Sequence, residues 1–238
     1  MQASKVLGMM VFTLGLGLAG SVYAEGKPVN ITPDVMSVTV TTAAGKEVQI
    51  QRNQDNNATV PEDFAKTSRP CPPFCIQPDV AAPGVDTIAE QGMLNYLQKM
   101  HEGDNSILVI DSRTPDWVER GTIPGAKNLP WTSLSPRNGA TTDSIIKIMN
   151  DEFGVTMAEG KDSMDVDEAV AAGSAGDVFD FSNAKTLVLF CNGMWCGQSP
   201  ENIEELLKMG YPPEKLKWYR GGMQDWSMLG LNTVKGSE

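Results

Sequence analysis

Hydrophobic and polar positions change rhythm several times along this chain. From Val6 to Ala19 nearly every residue is apolar or glycine. Between Met36 and Arg52, "MSVTVTTAAGKEVQIQR" alternates on both sides of Gly45, which predicts a hairpin of Met36–Thr41 with Glu47–Arg52. Residues 53 to 84, rich in Pro, Asn and Asp, keep no period and read as an ordered loop. From Val85 the rhythm becomes that of alternating strands and helices. Thr87 with Glu90 three residues on predicts a capping box, followed by Met93, Leu94, Tyr96 and Leu97 on one helical face. "SILVIDSR" is a continuously apolar strand ending in polar groups, as a buried parallel strand does. A short strand near Ala126–Leu129, a helix over Ser144–Phe153 and a buried strand over Lys185–Phe190 follow. An amphipathic helix over Glu201–Met209 and a last strand over Lys215–Tyr219 complete the series. Strands alternating with helices of this length imply an α/β fold with a mostly parallel sheet. Residues 155–183, acidic and rich in Gly and Ala, read as a solvated insertion. Asp165, Asp167 and Glu168 lack the regular spacing and central glycine of a calcium loop.

Charge and cysteine content narrow the picture. Lys5 ahead of the apolar run, with Val22 and Ala24 before Glu25, has the anatomy of a secretory signal peptide, its core too short to span a bilayer. The expectation is a leader over 1–24, an extension over 25–84 and a main domain over 85–235. The mature protein is expected to be soluble and exported, periplasmic or extracellular, with no membrane insertion once the leader is cleaved. Cleavage leaves 214 of 238 residues and removes one lysine, taking the net charge from −11 to −12. A chain this acidic is repelled by nucleic acid and by anionic membranes. Asn30 and Asn57 begin N-x-[ST] sequons, which matter only where the source glycosylates. The single histidine, His101, is expected to end a helix, and its solitude weakens any Cys-His dyad or histidine metal cluster. Four cysteines allow three pairings. Cys71 with Cys75 and Cys191 with Cys196 are the local candidates, and export favours disulfides.

Cys191 stands where the apolar strand "LVLF" ends, and ligands of open α/β sheets gather at the carboxyl ends of strands. Asn192, Gly193, Met194, Trp195, Cys196, Gly197 and Gln198 then form a loop. Ser199 is expected as the helix N-cap, with Pro200 at the first helical position. A loop curling between strand and helix N-terminus turns backbone N–H groups inward, and the helix dipole adds positive potential. A thiol there ionises more easily, and the thiolate is the nucleophile. Against this stands the plain alternative of a structural Cys191–Cys196 disulfide. The prolines of "RPCPPFCIQP" hold Cys71 and Cys75 within disulfide reach, as a clip ordering the extension or as a relay beside Cys191. Trp218 and Trp226 read as core anchors. Met194 and Trp195, at the loop tip, either contact an acceptor protein or pack on the domain.

Three segments in order carry a resemblance: "VIDSRTPDWVERGTIPGAKNLPW", "VLFCNGMWCGQS" and "WYRGGMQDW". They resemble the first signature, the active-site cysteine loop and the closing segment of rhodanese-like domains. The likeness spans about 85–235 and leaves 25–84 unexplained. It implies a five-stranded parallel sheet flanked by helices. It further implies sulfur transfer through a persulfide on Cys191, with Asp111 and Arg113 bracing the site and Gly221 and Gly222 forming the closing turn. The family's loops often carry basic residues, one of them five positions after the nucleophile; here that position is Cys196. An anionic donor would meet backbone amides and, at most, Arg113 or Arg220. The missing loop arginine also argues against a phosphatase.

The sequence thus points to a sulfurtransferase that takes sulfur from a small donor and passes it to a thiol or protein acceptor. Cys191 is the carrier and Cys196 a resolving thiol, and neither organic cofactor nor metal is called for. The rivals are a thiol–disulfide oxidoreductase using Cys191/Cys196 with Cys71/Cys75, and a non-catalytic partner-binding module.

Overall fold

A computed structural model of the protein describes residues 27–236, so the expected leader over 1–24 lies outside the described residues. The hairpin forms where the alternation predicts it. β1 (Ser37–Thr41) pairs antiparallel with β2 (Glu47–Gln51), setting Val38 opposite Ile50 and Val40 opposite Val48. The chain continues through α1 (Glu62–Ala65), β3 (Asp86–Ile88), α2 (Glu90–His101), β4 (Ile107–Asp111), α3 (Pro115–Val118), β5 (Lys127–Asn128) and α4 (Thr142–Phe153). It ends with β6 (Thr156–Met157), α5 (Ser163–Ala172), β7 (Phe179–Asp180), β8 (Thr186–Phe190), α6 (Gln198–Lys208), β9 (Leu216–Tyr219) and α7 (Gly222–Met228).

Five strands make one parallel sheet in the order β3-β9-β8-β4-β5. The neighbouring strands β8 and β4 carry uninterrupted apolar runs, Leu187–Phe190 and Ile107–Ile110, because side chains alternate between two buried faces. Leu187 and Leu189 point with Ile110, Leu216 and Trp218 toward Ile145 and Met149 of α4 and Ile203 and Leu206 of α6. Val188 and Phe190 point with Val109 and Tyr219 toward Met93, Leu94 and Leu97 of α2 and Met223 and Trp226 of α7. Val40 and Ile50 of the hairpin join this second cluster, so the extension is built into the domain. The Arg52 Nε donates to the Leu229 carbonyl at 2.7 Å, and the Asn53 amide to Gly230 at 2.7 Å. His101 ends α2 as expected, its Nδ1 2.8 Å from the Thr41 hydroxyl.

Two local expectations are corrected. Thr87 does not cap α2: parallel pairing sets it opposite Trp218 in β3, its hydroxyl donates to the Asp79 carbonyl, and the helix begins after Ala89 without a side-chain cap. The segment 155–183 is folded. Asp162 caps α5 in a capping box with Asp165, β6 pairs with β7, and Val166, Val178 and Phe179 are buried against the α4 face of the core. Sparse apolar residues at those few positions sufficed, and composition hid them.

At the carboxyl end of β4 a buried ion pair sets the backbone. Asp111 and Arg113 are 0% and 1% exposed. The Arg113 Nε and Nη2 donate to the Asp111 carboxylate at 2.9 and 2.6 Å. Nη2 also donates to the Gly121 carbonyl at 2.8 Å, and the Thr122 hydroxyl to Asp111 at 2.7 Å. Removing one partner of such a pair strands a buried charge. Asp111→Ala should therefore cost about 3–5 kcal/mol in urea unfolding, whereas breaking the exposed Lys147–Asp151 pair should leave the midpoint almost unmoved.

Candidate functional site

The loop that follows β8 is pinned on its inner side by α7. The Cys191 carbonyl accepts the Met223 amide at 3.0 Å, and the Asn192 carbonyl accepts the Gln224 amide at 2.9 Å. The Gly193 carbonyl accepts the Cys196 amide at 2.8 Å, which folds the loop back on itself. Gly222 makes this approach possible. Its φ is +54°, and a Cβ there would lie 2.3 Å from the Cys191 carbonyl oxygen.

Ser199 is not the N-cap. α6 starts one residue before it, after Gly197, and Ser199 turns into the first helical turn, fully buried. Its hydroxyl lies 3.2 Å from the Cys191 Sγ and accepts the Trp218 indole N–H at 3.1 Å. An indole nitrogen only donates. The Ser199 proton is thereby left to point at the sulfur, and Trp218 is more than a core anchor.

Cys191 and Cys196 are both free and both buried. Burial alone would push the Cys191 thiol up. Hydrogen bonds from the side chains of Cys196 and Ser199, and from the Ser199 and Gly193 amides, outweigh it and bring the thiol down from 9.0 to about 7. Cys196 moves the other way: burial, then its hydrogen bond to Cys191 and the charge there, raise it well above the ordinary thiol value. The pair divides its roles, Cys191 becoming thiolate first while Cys196 keeps its proton.

The two arginines expected to meet a donor are engaged elsewhere. Arg113 belongs to the Asp111 brace and reaches the loop only through the Asn192 Oδ1, at 3.5 Å. Arg220 donates to the Pro78 carbonyl at 2.9 Å and the Gln77 carbonyl at 2.8 Å, gripping the extension. Gln198 opens α6, with its Oε1 3.6 Å from the Cys196 Sγ. A cleft of about 840 Å³ lies between residues 51–64 and α7 and is not lined by either free cysteine.

Sequence reasoning missed what covers the loop. Cys71 and Cys75 are disulfide-bonded, their Cα atoms 4.6 Å apart. The segment they close lies on the cysteine loop: the Gln77 amide donates to the Met194 carbonyl at 2.8 Å. The Arg69 guanidinium sits 3.8 Å over the Trp195 ring, and Phe74 meets the same ring edge-on at 5.6 Å. The Trp195 Nε1 donates to the Gln224 Oε1 at 2.7 Å. Each such contact is worth on the order of 1 kcal/mol, and together they hold the segment on the loop. Its traces in the sequence were the cysteine pair itself, Arg69 ahead of the CPPFC turn and Phe74 within it, with no period to say where they dock.

The sequence matches the family model described as the Rhodanese-like domain over residues 93–229. The chain belongs to the rhodanese-like domain family. Rhodanese-like domains are those of the sulfurtransferase superfamily, and they also occur in non-catalytic proteins. Among solved structures, the chain is similar to a protein of unknown function from Rhodopseudomonas palustris CGA009, described as a possible tyrosine phosphatase. It is 17% identical over 65% of this chain and 88% of its own, with a TM-score of 0.38. No curated protein matches the sequence. The disulfide-closed segment lies before the matched residues, so the rhodanese-like domain of this chain carries a covering that the family match does not include.

Alkylation of Cys191, followed by peptide mass, should rise with pH through a midpoint near 7 and then level, because only the thiolate reacts. Ser199→Ala should raise that midpoint by about one pH unit, the worth of one hydrogen bond to a charged group. Trp218→Phe should raise it less, since the hydroxyl remains but is no longer aimed.

Proposed function

We propose that this rhodanese-like protein is a sulfurtransferase that carries sulfane sulfur as a persulfide on Cys191. The observation that carries the reading is the sulfur's own surroundings: a buried thiol met by the Ser199 hydroxyl and by the Ser199 and Gly193 amides, and lowered to about 7. The Cys191 thiolate attacks the outer sulfur of a small donor. The new S–S bond forms as the donor's own bond to that sulfur breaks, and the electron pair leaves with the rest of the donor. An acceptor thiolate then attacks the outer sulfur of the persulfide, and Cys191 departs as a thiolate. The same hydrogen bonds stabilise that departing charge, so they act in both half-reactions. No arginine stands in residues 191–198, which favours this chemistry over phosphoryl transfer.

Cys196 gives the scheme a second exit. Its thiolate can attack the inner sulfur of the persulfide, forming the Cys191–Cys196 disulfide and expelling hydrosulfide. A second reading, thiol–disulfide exchange without sulfur transfer, is favoured by this neighbouring thiol together with the Cys71–Cys75 disulfide beside the loop. The partner-binding module is the reading left if Cys191 is inert. A leader directing export would place all of this chemistry in an oxidising compartment.

Exposing the reduced protein to a sulfane-sulfur donor and weighing it intact separates the readings. The expected result is a gain of one sulfur atom that cyanide or thiol removes, absent in Cys191→Ser. In Cys196→Ser the adduct should outlast that of the parent, because the internal exit is closed. A reversible loss of two hydrogens with no sulfur gained would instead establish the exchange reading, and an unchanged mass the binding module.

A further inference from the structure

The covering of the cysteine loop is attached at several points. Gln77 bonds Met194, and the Gln77 side-chain nitrogen stands 3.7 Å from where a Cβ on Gly197 would be, so the segment spans the loop from Met194 to Gly197. Arg220 holds the same stretch from the far side through Gln77 and Pro78. Trp195 is clasped between Arg69 and Phe74. Beneath this, Cys191 is 2% exposed. A persulfide must meet its acceptor in line with the S–S bond, which an opening this small denies to anything protein-sized.

Arg69 adds charge to the opening. It is permanently cationic. Its Nη2 reaches the Asp63 carbonyl at 3.3 Å, while its buried Nε has no hydrogen-bond partner. Arg113 and Arg220 are already engaged, as described above. Arg69 thus sets a guanidinium against the cysteine loop at Trp195, in a chain of net charge −11 that otherwise repels anions.

The geometry points to residues 69–78 as a selectivity cap: closed by the Cys71–Cys75 disulfide, it admits small anionic sulfur compounds to Cys191 and shuts out protein thiols. Phe74 and the disulfide set the size limit, and Arg69 sets the charge preference. The inference rests on Cys191 being the reacting thiol of the proposed function, and it deepens that reading by naming the class of molecule admitted.

Labelling kinetics test it without any sulfur transfer. Cys191 labelling is followed by peptide mass with fragmentation, using iodoacetamide, its anionic analogue iodoacetate, and a maleimide on a polyethylene glycol chain of protein size. The parent should take the bulky reagent far more slowly than iodoacetamide, each rate being normalised to a small free thiol. Phe74→Ala, which keeps the disulfide, and Cys71→Ser/Cys75→Ser should each raise the bulky rate about tenfold, the equivalent of one lost contact, and the iodoacetamide rate much less. Arg69→Ala should lower the ratio of iodoacetate to iodoacetamide several-fold while the melting temperature falls by only about 2–4 °C, the worth of one lost contact. If size discrimination in the cap variants, or anion preference in Arg69→Ala, equals that of the parent, the cap does not select the ligand. A protein that labels as expected but never gains sulfur would leave the cap standing and remove the sulfurtransferase reading.

Discussion

One close approach of backbone to backbone underlies the site. The Cys191 carbonyl accepts the Met223 amide, and Gly222 lies too near that carbonyl for any side chain. A strand that ended freely would leave the following loop to splay toward water. Held here at its first two residues by the start of α7, the loop between β8 and α6 must fold inward over the sulfur. The amides of Gly193 and Ser199 then converge on one atom instead of on solvent. The parallel sheet supplies the anchoring, because β8 and β9 are neighbours in register and α7 follows β9 after only a short turn.

The electrostatics of that sulfur are a contest between two large effects. Burial disfavours a charge, and a thiol as enclosed as Cys191 would ordinarily sit above its solution value. Hydrogen bonds win because they are numerous and converge on the one sulfur. The Ser199 hydroxyl is committed by the Trp218 indole, and the loop amides are fixed by the backbone contacts just described. Cys196 shows the opposite outcome within the same loop. It faces burial and a negative neighbour that together outweigh the donors it meets, the Gln198 and Asn192 amides, and its proton is held. Two identical side chains five residues apart are thereby given unequal reactivity by position alone.

The architecture was legible from sequence because it rests on periodic signals. The apolar runs ending at Asp111 and Phe190, the period-2 hairpin and the helical faces all reappear, with strand boundaries shifted by a residue or so and helix starts by two or three. Cys191 was legible for the same reason: a strand end is a place the pattern marks. The misreadings share a different cause. Thr87 and Ser199 each had good capping chemistry, yet tertiary partners claimed them, β9 in one case and the sulfur with Trp218 in the other. Arg113 and Arg220 were read as cations near an anion site, but a carboxylate and two carbonyls had already engaged them. Local sequence lists what a side chain is able to do, and packing decides which of those things it does.

The docking of the extension had no such marker, and its consequence runs through Trp195. That ring receives Arg69 and Phe74 from the extension, while its indole nitrogen donates to the Gln224 side chain. Gln224 is also the residue whose amide holds the Asn192 carbonyl. The contacts that close the cap and those that turn the loop amides inward are therefore joined by the Trp195–Gln224 hydrogen bond. A cap that lifts releases one side of Trp195, loosens its hold on Gln224, and so acts on the backbone next to Cys191. Access to the sulfur and the ease with which it ionises are physically joined, which neither the family fold nor the cysteine loop would produce without the segment that precedes them.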